Sequence, residues 1–106
     1  MQQTDAIGCV KEATKILGDK WTPQLLRFFA NEEALRFCQI EEFVPGINPR
    51  TLSSRLESLT QEGIIEKTPA PQTSRCEYRL TDKGRALTPI LRDMQAWSER
   101  FAPASV

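Results

Sequence analysis

The run Asn48-Pro49-Arg50-Thr51-Leu52-Ser53-Ser54-Arg55-Leu56-Glu57-Ser58-Leu59-Thr60-Gln61-Glu62-Gly63 decides the fold. Asn48 is a capping residue, and Pro49 suits the first helical position because the N–H it lacks has no partner there. Gly63 marks the stop, so a helix is expected from Pro49 to about Glu62. At about 100° per residue, Leu52, Leu56 and Leu59 fall in one narrow arc and point inward. Arg50, Ser54, Glu57 and Gln61 take the far side, flanked by Thr51 and Ser58. An outer face whose first turns carry Arg, Thr and Ser suits the major groove of DNA. Long donors reach guanine edges or phosphates, and short hydroxyls let the backbone approach closely. The N-terminal part of such a helix meets the bases, so Arg50, Thr51 and Ser54 are the first candidates, with Ser53 on the flank. Arg55 sits beside the apolar stripe, where it either meets a phosphate or braces the helix.

Reading outward, Pro45-Gly46-Ile47 is a turn. Before it, Gln39 to Val44 forms a short helix with Ile40, Phe43 and Val44 inward. After Gly63, Ile64 to Thr68 and Cys76 to Leu80 read as strands joined by the polar loop Pro69-Ala70-Pro71-Gln72-Thr73-Ser74. A helix-turn-helix is thus expected over about 38–62 and a hairpin over about 64–80. Towards the N-terminus, Val10, Ala13, Ile16 and Leu17 recur at helical spacing up to Gly18. Thr22-Pro23 caps and starts a strongly apolar helix through Leu25, Leu26, Phe28 and Phe29, and Leu35-Arg36-Phe37 is a short extended link. Thr81 caps a last helix from Asp82 to about Phe101. The expected class is mainly α with a small β-hairpin: one winged helix-turn-helix domain (α+β) over 1–106.

The hairpin tip is the candidate wing. Pro69 and Pro71 keep it extended, while Gln72, Thr73, Ser74 and Arg75 offer donors to phosphates or the minor groove. The alternative is an ordinary hydrophilic tip. In the last helix, Leu87, Ile90, Leu91, Met94, Trp97 and Phe101 make an apolar face of roughly four turns. Leaving such a face wet costs about 25 cal/mol per Å², so a partner helix is expected to cover it, with Ile16 and Trp21 joining the same surface. The alternative is that the stripe covers the domain's own core.

The 106 residues suit one domain, and a hydrophobic content of 40% supports a packed core rather than disorder. No apolar run approaches the ~20 residues of a membrane span, and the N-terminus has no signal-peptide pattern, so the expected location is the cytoplasm. Formal net charge is zero, but its distribution is uneven. Residues 1–43 are net −2, residues 44–92 net +3, and the tail net −1. A basic centre between acidic ends fits one DNA-facing and one partner-facing surface. Cys9, Cys38 and Cys76 match no zinc spacing and there is no histidine, so no metal or other cofactor is expected.

Several segments resemble the HxlR-type regulators, which are related to the MarR-like winged helices. They are Cys9, then Leu17-Gly18-Asp19-Lys20-Trp21-Thr22, and Arg36-Phe37 leading to Pro45-Gly46-Ile47-Asn48-Pro49-Arg50-Thr51-Leu52-Ser53-Ser54-Arg55-Leu56. Gln61-Glu62-Gly63-Ile64-Ile65, Glu77-Tyr78-Arg79-Leu80-Thr81 and Gly84 continue the match in register over nearly the whole chain. The resemblance implies a bacterial or archaeal homodimeric transcription factor, most often a repressor, that binds double-stranded DNA at a palindromic operator. It also implies dimerisation through the terminal helices. In some relatives the cysteine at the place of Cys9 senses oxidants or thiol-reactive compounds. Here Cys9 precedes a helix and neighbours Lys11, and both features favour a thiolate, which makes Cys9 the candidate redox sensor. A small packing residue is the alternative, and Cys38 and Cys76 are read as structural. Val10 departs from the family's usual proline.

Two other function classes have weaker support in the sequence. Glu32-Glu33 and Glu41-Glu42 suggest acid–base chemistry only superficially, since adjacent helical residues diverge by about 100° and no nucleophile–base pair or phosphate loop accompanies them. No enzyme is therefore expected. A winged helix serving protein contacts alone would want an acidic or apolar outer face where Arg50, Thr51 and Ser54 stand. A small-molecule effector at the dimer seam stays open.

Overall fold

The computed structural model describes residues 6–69 and 76–103. Its elements are α1 (Lys11–Leu17), α2 (Thr22–Asn31), α3 (Phe37–Phe43), α4 (Pro49–Gln61), β1 (Ile65–Pro69), β2 (Cys76–Leu80), α5 (Asp82–Arg85) and α6 (Thr88–Phe101). One core gathers residues from most of them: Leu25, Leu26 and Phe29 of α2, Ile40 of α3, the three leucines of α4, and Ile64, Ile65 and Leu80 of the hairpin. Burying a side chain of this kind contributes about 1.5–3 kcal/mol.

The ends of α4 follow the residue chemistry. The Asn48 side chain accepts from the Arg50 N–H at 2.8 Å. At the other end Gly63 adopts φ +77°, a conformation costly for any residue with a Cβ. This lets Gly63 N–H reach the Thr60 carbonyl at 3.1 Å and Ile64 N–H the Leu59 carbonyl at 2.9 Å. Both bonds satisfy carbonyls the helix would otherwise orphan, and the buried pair Leu59 and Ile64 closes over them.

β1 and β2 pair antiparallel, from Ile65 opposite Leu80 to Pro69 opposite Cys76. Leu35 bridges the other side of β2, exchanging backbone bonds of 2.9 and 2.8 Å with Tyr78. The expected extended link thus shortens to Leu35 and Arg36, and Phe37 already begins α3. After β2, the Thr81 hydroxyl donates to the Gly63 and Ile64 carbonyls and accepts from the Gly84 N–H. Gly84 lies so close to the residue before β1 that a Cβ there would strike the Ile64 carbonyl oxygen.

Three local expectations are corrected. The last helix is two: α5 ends at Arg85 and α6 starts at Thr88. Pro89, in the first turn of α6, has no N–H to give the Arg85 carbonyl and its ring would strike it, so a continuous helix is broken there. Thr22 is the first residue of α2, not its cap; Asp19 supplies the capping oxygen instead. Phe43 is 39% exposed, because Ile40 and Val44 take the inward arc of α3. Its ring stacks on Phe28 with centroids 5.0 Å apart.

Candidate nucleic-acid interface

The apolar side of α4 is fully seated, with Leu52, Leu56 and Leu59 each at 3% exposure or less. Its opposite side is open: Arg50, Ser53, Ser54, Glu57 and Gln61 are exposed and Thr51 is half-buried. Among the described residues Arg50 takes part in no ion pair. This polar face is not packed against the protein's own neighbours, which leaves its donors free for a ligand.

The loop between α1 and α2 borders that face. Asp19, Trp21, Arg50, Thr51, Ser54 and Arg55 line one shallow concavity. Asp19 organises it. Its Oδ1 accepts from the N–H groups of Trp21 (2.8 Å) and Thr22 (2.9 Å), and its Oδ2 accepts from the Thr22 hydroxyl. Arg55 Nη1 lies 3.5 Å from Oδ2. Partial burial opposes ionisation of Asp19, but the bonds from Thr22 and Trp21, with the Arg55 charge, outweigh it and hold the carboxyl below the usual carboxylate value. A second ion pair, Lys15 to Glu62 at 3.3 Å, ties α1 to the far end of α4. Helix α1 and the loop that follows it are therefore tied to the C-terminal end and the middle of α4.

On α6 the situation is reversed. Leu87, just ahead of it, and Leu91 pack against the core, while Ile90, Met94, Trp97 and Phe101 remain exposed, the last two at 66% and 56%. No residue of α6 is buried. The Trp97 and Phe101 rings lie against each other, 5.2 Å apart. Ile7 and Val10, before α1, are exposed as well. No helix among the described residues is long and apolar enough to cross a membrane.

With a capped helix presenting a free polar face ahead of a hairpin, the HxlR-like helix-turn-helix family matches residues 16–106. The chain belongs to that family. It is 36% identical over 106 residues to the HTH-type transcriptional regulator YvaP of Bacillus subtilis strain 168, a match spanning 99% of this chain and 97% of YvaP. The HTH-type transcriptional regulator YodB of the same strain is 33% identical over 93 residues, 87% of this chain and 82% of YodB. The solved structure of reduced YodB superposes with a TM-score of 0.79 at 32% identity, covering 94% of this chain and all of that one. YodB has also been solved diamide-treated and quinone-bound. The redox regulator HypR in its oxidised form superposes with a TM-score of 0.82 at 29% identity, covering 90% of this chain and 98% of HypR.

Within this HxlR-like frame the expected site residues divide. Arg50, Thr51, Ser53 and Ser54 share the open side of α4. Of the two roles open to Arg55, the structure displays the brace, through Asp19. Thr73, Ser74 and Arg75 lie outside the described residues. Two residues expected at the apolar seam also make contacts within the protomer. Ile16 is 9% exposed and packs in the protomer's own core, so it has little surface to give a partner. Trp21 also packs partly on the core and turns to the concavity beside α4. Cys9 is exposed, and its Sγ accepts from the Lys11 N–H at 3.4 Å, at the start of α1. Cys38 is exposed too, which removes the packing role expected of it: it sits across α3 from the inward Ile40. Cys76 is half-buried. Sequence reasoning missed Asp19. Its signal was an acidic side chain three residues before Thr22-Pro23, the spacing at which a carboxylate reaches back-to-back N–H groups of a helix start.

Proposed function

We propose that this HxlR-like chain is a cytoplasmic DNA-binding transcription regulator, a repressor that grips a palindromic operator as a homodimer. One α4 from each protomer enters a major groove, with Arg50, Thr51 and Ser54 at the base edges and Ser53 at the rim. The hairpin tip, with Thr73, Ser74 and Arg75, reaches phosphates or the minor groove. The carrying observation is that α4 has its apolar side wholly buried and its polar side unobstructed. Dimerisation runs through Ile90, Met94, Trp97 and Phe101, the apolar face that the protomer leaves uncovered. Oxidation of Cys9 modulates DNA binding. Its exposed thiol stands at the head of α1; Lys15 of α1 is ion-paired to Glu62 at the end of α4, and Asp19 of the following loop to Arg55 of α4. Solved forms of YodB and HypR record redox states of those relatives and lend support by kinship.

Selection of bound duplexes from a random pool tests the reading. The expected outcome is enrichment of two inverted half-sites about one helical turn apart. Failure to retain any duplex, at salt low enough for phosphate contacts to hold, would favour a winged helix devoted to protein partners instead. For the thiol, diamide is expected to change the affinity of the wild-type protein and to leave that of Cys9→Ser unaltered.

A further inference from the structure

We propose that Lys20 and Trp21, in the loop between α1 and α2, form a second grip on the duplex backbone beside α4. Lys20 meets a phosphate there, and Trp21 packs against the neighbouring sugar. This rests on the reading of the chain as a DNA-binding regulator and adds a contact outside both the helix-turn-helix and the wing.

Three observations converge on it. First, Trp21 shares its concavity with Arg50, Thr51 and Ser54, the residues placed nearest the bases. A strand whose groove receives the start of α4 passes this loop as well. Second, the loop is held in place at both of its key residues. Asp19 fixes the Trp21 and Thr22 N–H groups, and the Trp21 ring leans on the core, so the aromatic wall is pre-organised rather than a mobile tip. Lys20 Nζ sits 4.8 Å from the centre of that ring, and the Lys20 carbonyl accepts from Gln24 Nε2 at 3.0 Å. Third, the charge has the right sign. The one carboxylate among the described residues lining the concavity, Asp19, is occupied by Trp21, Thr22 and Arg55. Lys20 and Arg50 take part in no ion pair among the described residues. Two free cations flanking an aromatic face suit a sugar-phosphate chain, which offers an anion and an apolar edge in alternation. In this arrangement Asp19 is a positioning residue: it spends its negative charge internally and sets the loop.

The test is the salt dependence of binding to a mixed-sequence duplex of about 30 base pairs, long enough for non-specific phosphate contacts and needing no known operator. Lys20→Ala is expected to reduce the slope of log K against log salt by about one per protomer, equally for unrelated sequences, with an unchanged melting curve. Lys20→Arg is expected to keep the slope. A Lys20→Ala slope equal to wild type, while Arg50→Ala still weakens binding, overturns the second grip and leaves the regulator reading intact. A wild-type protein that binds no duplex at low salt overturns the regulator reading, and the second grip with it.

Discussion

Helices α4 and α6 are nearly equal in length, 13 and 14 residues, and each carries one apolar and one polar face. Their fates differ. Helix α4 buries Leu52, Leu56 and Leu59 in the core and shows Arg50, Ser53 and Ser54 to solvent. Helix α6 rests only Leu91 on the core, has no fully buried residue, and shows Trp97 and Phe101. An apolar stripe says that a helix needs a seat, but not whose surface provides it. For α4 the seat is the protomer itself, which frees its polar face for a charged ligand. For α6 the same stripe is left wet at about 25 cal/mol per Å², which favours a covered face over a solvated one.

Paired substitutions sharpen that contrast. Leu56→Ala opens a cavity under α4 and is expected to lower the unfolding free energy by about 2–5 kcal/mol, read from urea titration. Trp97→Ala on α6 is expected to leave the protomer's own fold intact and to weaken self-association by roughly 2 kcal/mol or more, as befits a large aromatic at the centre of an interface. Sedimentation then moves towards the 12.0 kDa species. Should Trp97→Ala destabilise the isolated protomer as much as Leu56→Ala does, the two helices would not differ in the way the exposures indicate.

A smaller effect is expected at Asp19, where α1, α2 and α4 meet. Asp19→Ala removes the oxygens that hold the α2 start and is expected to cost about 0.5–2 kcal/mol. Because the folded carboxyl titrates below its ordinary value, its contribution is complete above the unfolded value near 3.8 and vanishes as pH falls through the folded one. The stability gap between wild type and Asp19→Ala is therefore expected to narrow on acidification below that range. A gap that widens there would contradict the hydrogen-bonded carboxylate.

The sequence made α4 legible because local chemistry and global packing agree there: cap, proline, leucine spacing and terminal glycine all mark one helix. The hairpin was legible for the same reason. The break before α6 was less visible, since the apolar spacing runs on from Leu87 to Ile90 and Leu91 and masks Pro89. Phe43 and Cys38 were misjudged because a helix of seven residues has too few turns for periodicity to fix its inner face. Apolar residues near a chain end, such as Ile16 and Trp21, look alike in sequence whether they serve the core or a partner. Within the protomer Ile16 packs inside and Trp21 lies beside Arg50.

Whether the open side of α4 reads DNA, as proposed, is decided by Arg50→Ala. Affinity for a duplex selected by the wild-type protein, compared at matched salt, is expected to fall by about 1–3 kcal/mol, with the urea midpoint unmoved. Equal affinities for the two proteins would contradict it.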